Sequence, residues 1–171
     1  MFHFLNSKKK AFTLVEMLVV VTVIAVLSSM VLVGMGGARA KARDARRTAD
    51  LHNVRNALEL YFAKNGVYPA VSGTGIAGWN SLRSAITSAD IGIYQVPVDP
   101  LNNEADKYYY FYVTNSSKTT YVLGAKLEQC DVVLNTDLDN SDLPSGITAT
   151  CNDNNANCKS TDTDRYYCIG P

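Results

Sequence analysis

One carboxylate, Glu16, lies inside a long apolar segment of the sequence. The segment covers residues 12–33, and three lysines, Lys8–Lys10, stand just before it. A charged side chain in hydrocarbon costs free energy, so an acid in such a place usually has a function and a partner of opposite charge. The 22 residues would span about 33 Å as an α-helix, which is enough to cross the hydrocarbon core of a bilayer. The pattern predicts a membrane-spanning helix whose acid has a function.

A secretory signal peptide is the alternative interpretation of a basic start followed by an apolar segment. The apolar part of a signal peptide is usually about 7 to 15 residues long and carries no acid. Residues 12–33 are longer and contain Glu16, and the Ala-x-Ala sequence at residues 38–40 stands among arginine and glycines. We therefore interpret the segment as an anchor.

The four cysteines are clustered in the last 42 residues, among Asn, Asp, Ser and Thr. They are Cys130, Cys151, Cys158 and Cys168. No CxxC spacing is present and both histidines are far away in sequence, which argues against a zinc site. Disulfides in an oxidising compartment fit better. Of the three possible pairings we favour Cys151–Cys158 and Cys130–Cys168. Because disulfides need an oxidising compartment, we expect the C-terminal domain outside the cytoplasm and the short N-terminus inside.

Charge is divided unevenly along the chain. Residues 1–64 contain ten Lys and Arg and four acids, a net charge of +6, whereas residues 65–171 contain six and twelve, a net charge of −6. This polarity is compatible with head-to-tail contacts between copies, with membrane contact of the basic part, or with two solvated surfaces. Charge does not fix the membrane orientation, because basic residues flank both ends of the apolar segment.

Hydrophobic periodicity continues the helix beyond the apolar segment. A stripe of apolar residues recurs at helical spacing. It consists of Leu51, Val54, Leu58, Tyr61 and Phe62. Asn65–Gly66, followed by Pro69, predicts the end of the helix. The result is one very long helix, apolar first and amphipathic second, with glycines at 34, 36 and 37 as a flexible joint.

The remaining residues, 65–171, are predicted to form a globular head. We predict a short helix at Trp79–Ser88 and a turn or loop at Val96–Pro100, since prolines exclude a central strand. Strands at Lys107–Thr114 and Thr119–Glu128 should form an antiparallel hairpin, with one tyrosine-bearing face on the apolar stripe. The predicted fold class is α+β: a long N-terminal helix packed on a small antiparallel sheet, with a disulfide-stapled C-terminal loop region.

No catalytic constellation is recognisable, so the sequence predicts a protein that is not an enzyme. The aspartates Asp137, Asp139 and Asp142 imitate the opening of an EF-hand calcium loop, but Asp142 takes the place of the turn glycine and the final glutamate is missing. We prefer a solvated acidic loop without a cofactor, and keep calcium as the alternative. The head tyrosines lack interleaved basic residues, so we predict packing and no nucleic-acid binding.

Residues 8–16 resemble the processing site of type IV prepilins and type II secretion pseudopilins, and the helix up to Tyr68–Pro69 is similar to their shared N-terminal helix. A second stretch, Pro97–Asn102 followed by the tyrosines, resembles the sheet domain of major pseudopilins and some bacterial pilins. The resemblance covers about a third of the chain at the N-terminus. It also implies a calcium site in the C-terminal loops of a major pseudopilin.

The resemblance implies a series of events at the N-terminus. A prepilin peptidase would cut between Ala11 and Phe12, and Phe12 would then be N-methylated. Glu16 would pair with the N-terminal amine of a neighbouring copy, which lowers the cost of both buried charges and fixes the axial register of the copies.

Three positions depart from the family pattern. Ala11 stands where glycine usually precedes the cut, and Ala25 and Val33 stand where glycine and proline are frequent. Glycine and proline allow a helix to melt locally in a filament, so we expect Gly34–Gly37 to take over that role here.

The predicted organisation is a leader peptide (1–11), a transmembrane and filament-core helix (12–33), the amphipathic half of the helix (34–64) and the head (65–171). We predict a structural subunit of a type IV pilus-like filament. Its partners would be copies of itself, a prepilin peptidase and an assembly platform in the inner membrane, where the subunit waits before it joins an extracellular pilus. The alternatives are a major pseudopilin of type II secretion, in a periplasmic pseudopilus, and a low-copy minor pilin with a binding or adhesive role.

Overall fold

A computed structural model describes residues 12–139, 141–149, 151 and 165–171, with residues 30–35 described by their backbone alone. The predicted leader therefore lies outside the described residues. The elements in chain order are α1 (Leu14–Asn65), α2 (Gly75–Ser88), β1 (Tyr110–Thr114), β2 (Tyr121–Lys126), a 3₁₀ turn (Val132–Asn135) and β3 (Tyr166–Ile169). The fold class is α+β, as predicted.

The chain forms two compact units, of which the first ends at Arg39 and the second covers Ala40–Pro171. Helix α1 contributes residues to both. It ends as predicted, because Gly66 has a φ of 72° and its N–H donates to the carbonyl of Phe62 at 2.7 Å. Glycine adopts such a φ at little cost, and this stops the helix. The backbone at residues 34–37 is helical here, so the flexible joint stays a prediction about an assembled filament.

In the first unit, the side chains of residues 12–29 are exposed. The exposed fraction of the large apolar residues runs from 48% for Met17 to 81% for Leu14. Among the residues that the structure describes, no helix is both long and apolar enough to cross a membrane. A contiguous apolar surface of this extent usually marks an interaction site.

The second unit contains a three-stranded antiparallel sheet in the order β1-β2-β3. The predicted hairpin is confirmed, with Thr114 opposite Tyr121 at its closed end. Its turn is held by Asn115, whose Oδ1 accepts the N–H of Thr119 at 2.9 Å. Both hairpin strands are shorter than predicted, and β3 was not predicted.

The main core of the second unit lies between α1, α2 and one face of the sheet. Its buried residues include Leu51, Val54 and Leu58 of α1, Trp79, Leu82 and Ile86 of α2, and Tyr110, Tyr112 and Leu123 of the sheet. Burying one such Leu or Val contributes about 1.5–3 kcal/mol. The predicted packing of a tyrosine face on the apolar stripe is therefore confirmed, although Tyr61 and Phe62 are only half-buried.

A second, smaller core covers the other face of the sheet. It joins Val122 and Cys168 of the sheet to Ile147 and Cys151 of the C-terminal loop. On the same face, Phe111 lies over Gly124, its partner in the ladder. A Cβ at Gly124 would clash with the Phe111 ring, so this position requires glycine.

Both predicted disulfide pairings are wrong, because Cys151 is bonded to Cys168, with their Cα atoms 5.8 Å apart. The prediction had closed the smallest polar loop, Cys151–Cys158, and had tied Cys130 to the C-terminus. It had no β3, the strand that carries Cys168 into the second core beside Cys151. Cys130 is also disulfide-bonded, and Cys158 lies outside the described residues.

Candidate functional site

At the start of α1, Thr13 and Glu16 form a capping box. The Oε2 atom of Glu16 accepts both the backbone N–H and the hydroxyl of Thr13, each at 2.8 Å. In return, the Thr13 hydroxyl oxygen accepts the backbone N–H of Glu16 at 3.2 Å. Thr-x-x-Glu is the sequence pattern of this motif, and it satisfies N–H groups that the first turn of a helix leaves without partners. This cap was not among the features predicted from the sequence.

The capping box holds the Glu16 carboxylate within the single chain. One oxygen atom of the carboxylate takes both hydrogen bonds from Thr13. The negative charge also lies at the positive end of the helix dipole, which stabilises it. Phe12, one residue before the box, is 75% exposed. Ala11 lies outside the described residues, so the cleavage site and the pairing of Glu16 with an amine stay predictions.

The second unit contains a buried ion cluster, which we define as Arg43, Asp44, Arg47, Asp99 and Glu128. The side chain of Arg47 at its centre is 0% exposed. Its Nε and Nη2 atoms donate to the two oxygens of Asp99, at 2.6 and 3.1 Å. Its Nη1 atom donates to Asp44 and to Glu128, each at 2.7 Å. Arg47 therefore joins α1, the loop before β1 and the chain just after β2.

The carboxylates of the cluster also organise the backbone around it. Asp44 accepts the N–H groups of Glu128 and Gln129, both at 2.9 Å. Asp99 accepts the N–H groups of Leu101 and Asn102, at 2.8 and 3.2 Å. The two bonds to Asp99 shape the Pro97–Asn102 stretch, which resembles a stretch in the sheet domain of major pseudopilins. The stretch is a loop, as predicted for Val96–Pro100.

Helix α2 holds the same loop from the other side. The indole Nε1 of Trp79 donates to the carbonyl of Pro97 at 2.8 Å, and Arg83 donates to the carbonyl of Val96 at 3.0 Å. The position of Asp99 is therefore fixed by α2 as well as by Arg47.

Hydrogen bonds within the cluster favour the charged forms of Arg47 and Glu128. Burial alone would lower the pKa of Arg47, but hydrogen bonds to Asp99, Glu128 and Asp44 raise it above the usual arginine value. Hydrogen bonding to Arg43 holds the pKa of Glu128 below its usual value, against the effect of partial burial. The Arg47 guanidinium also lies over the Tyr108 ring, 5.1 Å from its centroid, in a cation–π contact.

Two further acids of α1 bind tyrosine hydroxyls of the sheet. Tyr110 donates to Asp50 at 2.8 Å, and Tyr121 donates to Glu59 at 3.0 Å. Tyr68, just after α1, also donates to Glu59, at 3.1 Å. Burial, followed by the bond to Glu59, raises the pKa of Tyr68 to about 12. Polar bonds thus border the apolar stripe at several points.

The ion cluster was not predicted from the sequence as a site. The arginines of α1 entered only the net charge of residues 1–64, for which head-to-tail contacts, membrane contact and solvated surfaces stayed open, although Asp44 and Arg47 stand at helical i, i+3 spacing, the one local sign of a pair. The partners Asp99 and Glu128 are 52 and 81 residues away from Arg47. No periodicity could have connected them.

Each of the three candidate calcium ligands takes part in a hydrogen bond in the part of the chain that the structure describes. One oxygen of Asp137 accepts the N–H of Cys168 at 2.8 Å, and the N–H of Asp142 donates to the carbonyl of Asp139 at 2.9 Å. No group of three or more His, Cys, Asp and Glu among the described residues could hold a metal ion. Asn140, within the predicted loop, lies outside those residues, and calcium binding stays a prediction.

Comparisons with known proteins identify a motif and several relatives of this chain. Residues 6–32 match the model of the prokaryotic N-terminal methylation motif. The chain is 31% identical over 107 residues to type II secretion system core protein G of Escherichia coli K12, covering 58% of this chain and 71% of that protein. It is 30% identical over 128 residues to the protein of the same name from Vibrio cholerae serotype O1, covering 69% of this chain and 82% of that protein.

A third relative of the same name, from Aeromonas hydrophila, is 30% identical over 106 residues, which cover 57% of this chain and 71% of that protein. No solved structure matches the chain. The similarity to the Vibrio cholerae protein is longer than α1, so it extends into the head.

Proposed function

We propose that this chain, which belongs to the prepilin and pseudopilin family, is the repeating subunit of a type II secretion pseudopilus. Membership of the family makes it a pilin-like filament subunit. The observation that carries the finer proposal is the similarity to core protein G over 128 residues and 82% of that protein. The predicted alternative, a major pseudopilin, is therefore favoured over a surface pilus.

The proposed mechanism starts with processing at the N-terminus. A prepilin peptidase cuts between Ala11 and Phe12, and Phe12 is N-methylated. The subunit waits in the inner membrane, and an assembly platform moves it into the growing filament. The methylation motif over residues 6–32 supports the processing steps.

In the filament, we propose that Glu16 meets the amine of Phe12 of a neighbouring copy. The capping box keeps the carboxylate hydrogen-bonded until then, since Thr13 donates two bonds to it. The apolar side chains of residues 12–29, which are exposed in the single chain, would be covered by the same residues of other copies. Charge pairing fixes the axial register, which apolar packing alone leaves free.

A surface pilus is the second candidate. The Cys151–Cys168 disulfide is compatible with a surface pilus and equally with a periplasmic pseudopilus, because both compartments are oxidising. A low-copy minor pilin with a binding or adhesive role is a third possibility and predicts ligand affinity of the subunit.

Mass spectrometry of envelope and sheared-surface fractions from the native cell tests the proposal. We expect a mature chain that begins at Phe12, carries one extra methyl group and stays in the envelope fraction. The same chain, abundant in the sheared fraction, would support the surface pilus instead. A chain that still begins at Met1, or one cut near Ala40, would refute processing at Ala11–Phe12.

A pair of variants tests the role of Glu16. Glu16→Gln should be cut and remain in the membrane but fail to join filaments, because a neutral amide cannot pair with an amine. Glu104→Gln, at an exposed acid of the head, is the matched control and should assemble normally. Normal assembly of Glu16→Gln would refute the charge pair.

A further inference from the structure

The ion cluster holds a part of α1 that the apolar core does not reach. Among the residues with described side chains, Leu51 is the first apolar residue of α1 to be buried. Asp44 and Arg47 are buried before it, with 3% and 0% of the residue exposed. From Asp44 to Leu51 the helix advances about 10 Å, or two turns. Over these two turns, α1 is attached to the head by ionic hydrogen bonds.

Apolar contacts and ionic contacts resist movement along the helix axis differently. The buried apolar residues Leu51, Val54 and Leu58 recur every three or four residues. A shift of α1 by one turn, about 5.4 Å, would replace one apolar side chain by the next, and such one-turn shifts of packed helices are known. Apolar packing therefore tolerates a small number of alternative registers.

The ion cluster does not tolerate such a shift. Arg47 donates from Nε and Nη2 to Asp99 in the loop before β1 and from Nη1 to Glu128 just after β2, whereas its bond to Asp44 stays within α1. A displacement of one turn would break the bonds to Asp99 and Glu128 and leave buried charges without these partners, which is strongly unfavourable. The planar guanidinium also fixes the direction of approach of Asp99, because two parallel N–H groups face its two oxygens.

We infer that the ion cluster locks the axial register of α1 against the head, and that Arg47 and Asp99 are the positioning residues of this lock. The lock extends the hold of the head on α1 by two turns towards the N-terminus. Its role under mechanical load rests on the proposed function. In a filament, force acts on the subunit along α1, while the bulky head resists movement. The lock then prevents the helix from sliding past the sheet.

Amide hydrogen exchange of the mature, full-length chain in detergent micelles tests the lock without any filament. Arg47→Lys keeps a positive charge but loses the two-pronged bond to Asp99. We expect exchange at residues 44–50 to become at least about tenfold faster, since hydrogen bonds between charged groups are lost, with little change at residues 54–62. Asp99→Asn, which is nearly isosteric, is the second variant in case Arg47→Lys does not fold.

Val54→Ala is the matched control, because it weakens the apolar packing of α1 against the head and leaves the ion cluster in place. It should accelerate exchange along the whole buried part of α1, without a selective effect at residues 44–50. The inference is overturned if Arg47→Lys and Asp99→Asn leave these residues protected, or if Val54→Ala produces the same selective pattern.

Filament length after shear provides the second measurement. At equal melting temperature, Arg47→Lys filaments should break into shorter pieces than Val54→Ala filaments. Equal lengths at equal melting temperature would show that Arg47 contributes only stability and would overturn the role under load. If the wild-type chain forms no filament, the proposed function fails, while the exchange experiment still decides whether the lock exists.

Discussion

At the start of α1, the carboxylate of Glu16 bonds to Thr13, three residues away, whereas in the ion cluster Arg47 bonds to Asp99 and Glu128, which are 52 and 81 residues away. Both arrangements satisfy charges that would otherwise be costly. The first is exposed and the second is buried. The difference in sequence separation decides what each arrangement can do.

A local bond requires only its own turn of helix. It forms whenever the first turn of α1 forms, and both of its residues belong to the first compact unit. The long-range bonds form only when the whole second unit is folded, so they report on the fold and stabilise one register of it. Glu16 is thus suited to assembly, and Arg47 to holding the subunit together.

Among the variants that test this difference, removal of the central cation, Arg47, should lower the free energy of unfolding most. Arg47→Met leaves Asp44, Asp99 and Glu128 without their shared partner, and we expect a loss of about 3–5 kcal/mol in the free energy of unfolding. Chemical unfolding of the full chain, followed by the fluorescence of Trp79, the single tryptophan, measures it.

Arg46→Met is the matched control for this variant. The Arg46 side chain is 62% exposed and pairs with Asp50 at 3.5 Å, so its loss should cost less than about 1 kcal/mol. Equal losses for the two variants would contradict the distinction between the buried cluster and a solvent-exposed pair.

Loss of the Cys151–Cys168 disulfide should be the next largest effect. The bond spans 17 residues of sequence, and closing a loop of similar size is worth about 3 kcal/mol. We expect this loss for the double variant Cys151→Ser with Cys168→Ser in the same unfolding experiment. A non-reducing peptide map should join the peptides that contain Cys151 and Cys168. A map that joins Cys151 to Cys158 would contradict the structure.

The parts of the fold that sequence predicts are those set by neighbouring residues. The end of α1 at Asn65 follows from Gly66, and the hairpin follows from two β-rich runs around a polar turn. Both patterns are complete within a few residues. The apolar stripe is predicted for the same reason, because helical spacing defines it.

The parts that sequence does not predict depend on distant residues. Strand β3 contains only Tyr166–Ile169, and its place beside β2 is fixed by pairing, not by its own composition. The error in the disulfides follows directly, since Cys168 belongs to that strand. Arg47 looks like any helical arginine until Asp99 and Glu128 are brought to it. Of the candidate sites, the capping box was readable from Thr13-x-x-Glu16, whereas the ion cluster was not readable.

Lowering the pH should reduce the stability that the ion cluster contributes, by less than the loss of the disulfide and by more than the loss of the cap. Hydrogen bonds from Arg43 and Arg47 lower the pKa of Glu128 in the folded chain. The unfolded chain therefore takes up the proton first, and the contribution of Glu128 to stability is present above its ordinary value of 4.5 and lost as the pH falls below it. Unfolding experiments between neutral and acidic pH should show that the free energy of unfolding falls with pH, and the slope of this fall measures the effect.

Glu128→Gln should reduce the slope at acidic pH, because it removes the group that titrates. Glu104→Gln, at an exposed position, should leave the slope unchanged. If both variants keep the wild-type slope, the acid sensitivity of the chain arises elsewhere.

A change in the capping box at the start of α1 should have the smallest effect on the stability of the head. Thr13→Ala removes the hydroxyl that donates to Glu16 and accepts its N–H. Loss of an N-terminal cap costs about 1 kcal/mol of local helix stability. Exchange of the first amides of α1 should therefore accelerate several-fold, while the unfolding of the head, read from Trp79, should not change. Because the box lies in the first compact unit and the ion cluster in the second, a shift in the unfolding of the head would show that the two regions are coupled and that the local bond is not independent of the fold.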